Sequence, residues 1–134
     1  KEFYEKVENF AREHAYVVTI AGRQRSLPDI MSNNHQARAM AERQSINTLI
    51  QGSAADIIKL AMLAVHRDKQ LKEWNARLLL QIHDELILEV PEEHAERAGK
   101  CVAEIMMNIA PLGKRLSVPL LVEYGVGKNW GQAH

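Results

Sequence analysis

The chain has 134 residues, 17 of them basic and 17 acidic, so its formal net charge is zero. That length holds one domain of ordinary size, and 46% hydrophobic with 25% charged residues excludes a disordered, collagenous or fibrous protein. No uninterrupted apolar run approaches the roughly 20 residues of a membrane span, and the charged, amphipathic start is unlike a signal peptide, so no membrane partner is expected. A single cysteine, Cys101, excludes a disulfide framework and a Cys-based zinc site and fits a reducing compartment. As a sum, zero charge argues against a nucleic-acid partner, although a sum says nothing about distribution. Lys1 stands where a methionine would, and the helical pattern already runs from there, so a segment of a longer chain is expected.

Phe3, Val7, Phe10 and His14 recur at helical spacing and predict an amphipathic helix over about residues 2–15. The β-branched run Val17–Ile20, the turn signal Ala21-Gly22 and a returning strand at 24–27 come next, and Pro28 stops the strand. Ser32, Asn33 and Asn34 form a loop and offer an N-cap for a helix from about His35 towards Gln51. Gly52 is expected to interrupt that helix, and Ser53–Asp56 has the capping-box spacing that restarts or kinks one. Ala54, Ile57, Ile58, Ala61, Met62 and Val65 then mark a core-facing stripe. Between Arg77 and Val90 two apolar runs flank His83, Asp84 and Glu85, which predicts a hairpin with ionisable groups at its tip, ended by Pro91. Ala95, Ala98, Val102, Ile105, Met106 and Ile109 predict another helix, and Val118–Val122 a final strand before a Gly-rich tail. The mixed order, with strands able to pair antiparallel, makes the class α+β.

The charge is distributed unevenly. Residues 84–104 hold seven acids (Asp84, Glu85, Glu89, Glu92, Glu93, Glu96, Glu104) against Arg97 and Lys100, a net of −5, which leaves +5 for the remainder.

Two features could carry chemistry. Asp84 and Glu85 lie between apolar strands rigid enough to fix a metal ligand, and hard carboxylate oxygens suit Mg²⁺ or Mn²⁺ more than zinc. The competing reading is a solvated polar turn, where Asp is common for its local hydrogen bonding; His83 beside the pair weighs against it. The second feature is Arg43, Asn47 and Gln51, spaced by four and so on one helix face, with Ile46, Leu49 and Ile50 opposite. All three donate hydrogen bonds, which suits a duplex minor groove: every base pair presents an acceptor there, so pair shape is checked without reading sequence. An ordinary solvated face is the alternative. Arg23 and Arg25, near the first turn, could contact phosphates.

Other chemistries lack their residues. The six histidines (His14, His35, His66, His83, His94, His134) contain no His-Glu-x-x-His pair, and there is no phosphate-binding Gly-rich loop or nucleophile elbow. Cys101 lies beside core position Val102 without a base partner and is expected to be inert, and Trp74 and Trp130 to pack or lie on the surface.

Taken together these residues resemble the family A DNA polymerases, the bacterial DNA polymerase I group. The resemblance rests on Glu42-Arg43-Gln44-Ser45-Ile46-Asn47 running into Gln51-Gly52-Ser53-Ala54-Ala55-Asp56-Ile57-Ile58-Lys59, and on Gln81-Ile82-His83-Asp84-Glu85-Leu86, which looks like the family's motif C. Gly22-Arg23 with Leu27-Pro28-Asp29-Ile30 matches its fingers hairpin, and Asn129-Trp130 with Gln132-Ala133-His134 its C-terminus. The match covers essentially the whole chain in the right order.

The resemblance implies a polymerase segment whose residues 1–52 are the end of the fingers with the helix entering the palm, and whose residues 53–134 are the C-terminal half of the palm. It implies two-metal transfer of a nucleotide to a primer 3′-OH, with Mg²⁺ (Mn²⁺ as the alternative), primer-template DNA and deoxynucleoside triphosphates as partners, and a cytoplasmic, nucleoid-associated or organellar parent. Asp84 would be a metal-ligating aspartate, Glu85 a neighbouring carboxylate, and His83 a residue near the primer terminus. Arg43, Asn47 and Gln51 match residues that contact template and primer. The chain departs from the family in what it lacks: its only aspartates are Asp29, Asp56, Asp68 and Asp84, and none of the first three lies in the Asp-Tyr-Ser-like strand that supplies the other catalytic carboxylate. The basic fingers helix that grips the triphosphate is missing as well. The segment alone is therefore expected to be inactive, to need the rest of the polymerase chain, and to self-associate through uncovered strand faces. A non-catalytic duplex-binding module is the alternative; a small hydrolase built on Asp84 and Glu85 lacks a full ligand set.

Overall fold

The computed structural model describes residues 2–133, so Lys1 and His134, used above for the chain start and the C-terminal match, lie outside it. The chain forms two compact units, residues 1–56 and 57–134.

In the first unit, helix α1 (Glu2–His14) carries Glu2 and Glu5 in its first turn and Arg12 and His14 in its last, matching the helix dipole at both ends. It buries Val7 and Ala11. Phe3 and Phe10, expected on the core face, are 50% and 39% exposed, and Phe10 stacks on His14 and meets the edge of Tyr16 instead. Ala15 turns the chain at φ 58 into strand β1 (Tyr16–Val18), which pairs antiparallel with β2 (Gln24–Ser26). The connection is held by Thr19, whose carbonyl accepts from Gly22 N and whose hydroxyl accepts from Arg23 N. Gly22 has φ 83, as the turn requires. Pro28 opens a 3-10 turn (Pro28–Met31), and Asn34 caps helix α2 (His35–Asn47) by accepting from Gln36 N and Ala37 N. Val7, Ala11, Val17, Leu27, Ile30 and Ala41 form the core, with Ile46 and Leu49 packed against it; Ile50, placed with them by periodicity, is half exposed.

The expected break at Gly52 does not occur. The helix widens into a π-helical turn (Thr48–Gly52) and continues directly as α3 (Ser53–Arg67). Ser53 keeps helical angles (φ −68, ψ −38), so it caps nothing; its hydroxyl accepts from Ile20 N of the β1–β2 turn. The run His35–Arg67 is long and apolar enough, by length and composition, to cross a membrane, although polar residues interrupt it throughout. It contains the buried, ion-paired Asp56, and its Ala41 and Val65 belong to the cores of the two units.

In the second unit, Val65 and Ala61 of α3 are buried, whereas Ala54, at the start of the expected stripe, is exposed. Asp68 caps the short helix α4 (Lys69–Glu73) by accepting from Leu71 N. Strand β3 (Arg77–Ile82) pairs antiparallel with β4 (Glu85–Glu89), and the register shifts between Leu78 and Leu80. Helix α5 (Ala95–Met107) buries Ala98, Val102 and Ala103. Val65, Leu71, Ala98 and Val102 form the core, covered by Trp74, Leu86, Leu88, Val90 and Cys101 among others. Residues 118–122, expected as a strand, join no ladder, and Val118 and Leu121 are 71% and 88% exposed. The segment is apolar, but Pro119 has no N–H to donate and a strand also needs a neighbour to hydrogen-bond.

Candidate functional site

The hairpin tip is a two-residue connection, His83-Asp84, narrower than the three residues expected; Glu85 already belongs to β4 and pairs with Ile82. His83 sits at φ 52, a left-handed conformation uncommon outside glycine though histidine adopts it more readily than most, and its carbonyl accepts from the Gln81 side chain. Asp84 is exposed at the turn and Glu85 half-buried on the strand. The strands thus project one carboxylate outward and hold the next at the edge of the sheet.

These donors suit a hard divalent cation, but only as part of a set. Among the described residues no group of three or more His, Cys, Asp or Glu side chains is placed to hold a metal ion. Two of the other aspartates have structural work: Asp56 pairs with Arg23, and Asp68 caps α4. Asp29 lies in the 3-10 turn after Pro28.

The stripe lies in the first unit. Arg43, Asn47 and Gln51 are all exposed, the first two on α2 and the last in the π-helical turn. A step of four on an α-helix drifts by about 40° around the axis, and the wider turn between Asn47 and Gln51 offsets that drift. Asn47 and Gln51 border a concavity of about 450 Å³ together with Thr19, Arg23, Arg25 and Thr48. Arg43 does not border it.

The two arginines of the β1–β2 hairpin are engaged within the unit. Arg25 Nη1 donates to Thr48 Oγ1 at 3.2 Å. Arg23 Nε donates to Asp56 Oδ1 at 3.0 Å, and its Nη2 to the Gly52 carbonyl at 3.1 Å. The Asp56 side chain is only 7% exposed, and its Oδ2 is buried without a hydrogen-bond partner. Gly52 permits this seating: a β-carbon there would stand 2.9 Å from Thr19 Cγ2. Thr19 and Thr48 carried no signal in the sequence, and Asp56, which there has only the spacing of a capping box, pairs instead with Arg23.

The larger cavity, about 700 Å³, lies between β4, α5 and the tail and is lined by Leu86, Leu88, Val90, Ala98, Val102 and Tyr124 among others. None of the expected site residues borders it. Cys101 is packed in the same unit, and burial, then the negative charges of Asp68 and Glu104, push its thiol pKa up, the reverse of a nucleophile's tuning.

The model of DNA polymerase family A matches residues 1–132. The chain belongs to DNA polymerase family A. It is 46% identical over 133 residues to DNA polymerase I of Bacillus caldotenax, covering 99% of this chain and 15% of the relative. To the thermostable DNA polymerase I of Thermus aquaticus it is 42% identical over 130 residues, 97% of this chain and again 15% of the relative. Among solved structures it resembles the POL domain of Pol1 from M. smegmatis in complex with DNA primer-template and dNTP, at 42% identity and a TM-score of 0.88, covering 98% of this chain and 23% of that one. The chain therefore spans about 15% of the length of these curated relatives. The family assignment agrees with the resemblance drawn from the ordered motifs, and the α+β class agrees with the two small antiparallel sheets among helices.

Proposed function

We propose that this chain is part of a DNA-directed DNA polymerase: it presents one catalytic carboxylate and a duplex-checking helix face, and does not polymerise by itself. The observation that carries the reading is Asp84, exposed at a two-residue turn between paired strands, in a chain of the polymerase family. The M. smegmatis relative, solved in complex with DNA primer-template and dNTP, supports those two partners.

In this reading Asp84 is a metal ligand, Glu85 an adjacent carboxylate that helps hold the ion, and His83 lies near the primer terminus. Arg43, Asn47 and Gln51 face the minor groove beside the terminal base pair, and Arg25 lies towards the backbone. Residues 1–52 belong to the fingers and the helix leaving them, and residues 53–134 to the palm. When bound, Mg²⁺ (or Mn²⁺) lowers the pKa of the primer hydroxyl and neutralises charge on the leaving pyrophosphate. The protein's own residues orient the primer end and test the shape of its base pair. A second carboxylate strand and a triphosphate-gripping helix must come from the rest of the polymerase, met through exposed apolar residues such as Leu80 and Leu121, which in isolation would drive self-association. The setting is that of a cytoplasmic replication and repair enzyme.

The experiment is primer extension with Mg²⁺ by the longer polymerase carrying Asp84→Asn. Disturbing even the groups that orient metal ligands costs about 10–100-fold, so loss of a ligand is expected to cost about a hundredfold or more. Near wild-type extension would overturn the assignment.

A further inference from the structure

We propose that Arg23 and Asp56 are positioning residues: together they clamp the β1–β2 turn onto the π-helical turn and so set the direction of Asn47 and Gln51. The proposal rests on the minor-groove reading of those two side chains. Arg23 was expected to meet phosphate, yet its guanidinium bridges two groups of the same unit, the Asp56 carboxylate at 3.0 Å and the Gly52 carbonyl at 3.1 Å. Asp56 is buried, and a buried carboxylate is costly to leave unpaired, so the pair is held in place by the price of parting it. The hairpin reaches the widened turn at both ends. Arg25 donates to Thr48 at its start, Ile20 N donates to Ser53 just past its end, and Thr19 fills the space that a side chain at Gly52 would need. Gln51 lies inside this bracket and Asn47 immediately before it.

The geometry gives the clamp a purpose. A regular α-helix would rotate Gln51 about 40° away from Asn47, whereas the wider turn brings it back towards the line of Arg43 and Asn47. A widened turn is rare in a helix and needs outside support, and here the support comes from a hairpin whose contacts lie 23 to 33 residues away in sequence.

The test uses the longer polymerase and compares extension from matched and mismatched primer termini. If Arg23 and Asp56 aim donors at the terminal base pair, Asp56→Asn lowers kcat/KM from a matched terminus about tenfold, roughly the worth of one misdirected hydrogen bond, and leaves mismatched extension unchanged. Arg23→Ala gives the same loss, the double variant loses no more than either single one, and the salt dependence of DNA binding does not move. A merely structural defect would lower matched and mismatched extension together. Arg23→Lys keeps a cation beside Asp56 but cannot span both acceptors, so it folds and still loses discrimination. Wild-type discrimination in Asp56→Asn or in Arg23→Lys overturns the clamp, as does a salt slope reduced by about one in Arg23→Ala, the mark of a direct phosphate contact. Gln51→Ala is run in parallel. If it loses discrimination while Asp56→Asn does not, only the clamp fails; if Gln51→Ala itself stays at wild type, the minor-groove reading fails and the clamp with it.

Discussion

Gly99 of α5 and Tyr124 of the tail approach so closely that a β-carbon on Gly99 would collide with Tyr124 Cδ2. Gly99→Ala therefore sets two effects against each other. Alanine improves the helix by about 0.8–1.0 kcal/mol, while the clash must be relieved. Tyr124 is 46% exposed, and its hydroxyl reaches Glu96 only at 3.5 Å, so the ring can swing away instead of straining the helix. The expected outcome is a chain whose global stability changes by less than about 1 kcal/mol but whose tail is released. Hydrogen exchange checks this: amides of residues 124–133 should lose protection while those of α5 keep theirs. Unchanged tail protection would show that the Gly99–Tyr124 contact does not hold the tail.

His83 offers a trade of stability against activity. Left-handed backbone costs an ordinary residue about 1–2 kcal/mol, and histidine tolerates it better than most. Glycine removes that cost but adds about 0.5–1 kcal/mol of unfolded-state entropy. His83→Gly is thus expected to stabilise the 134-residue chain by up to about 1 kcal/mol in urea denaturation, while slowing primer extension by the longer polymerase. A clearly destabilised hairpin would mean that the imidazole, not the backbone, decides the turn.

Local signals carried much of the fold. The apolar periodicity of α1 and α5, the Asn34 cap and the polar tip between two apolar runs each follow from short-range chemistry, and each stands where the pattern put it. The failures share one cause. Gly52 and Ser53 carry stop signals, yet the helix continues because Thr19, Ile20 and Arg23 contact that turn from the β1–β2 hairpin. The partner of Arg23, Asp56, lies 33 residues away, where no local pattern announces it. Val118–Val122 has strand propensity but no ladder, since pairing belongs to two segments and not to one. For the site, residue types and spacing singled out Asp84 and the Arg43–Gln51 stripe, but the supporting residues Thr48 and Asp56 emerge only from contacts.

Cys101 should react slowly. Its thiol pKa is raised, first by burial and then by the negative charges of Asp68 and Glu104, so less thiolate is present at any pH than on an ordinary cysteine. Alkylation by iodoacetamide at pH 8 is expected to be several-fold slower in the folded chain than in urea, where the thiol titrates near about 8.5. The linkage has the matching sign. The native state holds this proton more tightly than the unfolded state, so the contribution is fully present below the unfolded thiol's pKa and is lost as pH rises through the raised value. A folded chain that alkylates as fast as the unfolded one would contradict the assigned environment.

The isolated chain should bind duplex DNA weakly, without sequence preference, and with a modest salt dependence. Each phosphate neutralised contributes about −0.9 to the slope of log K against log salt. Arg43 is exposed, and Arg25 is exposed while bonded to Thr48, whereas the Arg23 guanidinium is occupied by Asp56 and Gly52. With these two the slope is expected to lie at about −2, far below that of a dedicated DNA-binding protein. Arg43→Ala should make it shallower by about one, whereas Gln51→Ala should weaken binding without changing it, because a neutral donor releases no counterion. Fluorescence anisotropy of a labelled duplex between about 50 and 200 mM salt separates these effects. A slope near zero, or an Arg43→Ala variant with the wild-type slope, would remove this helix face from the DNA interface.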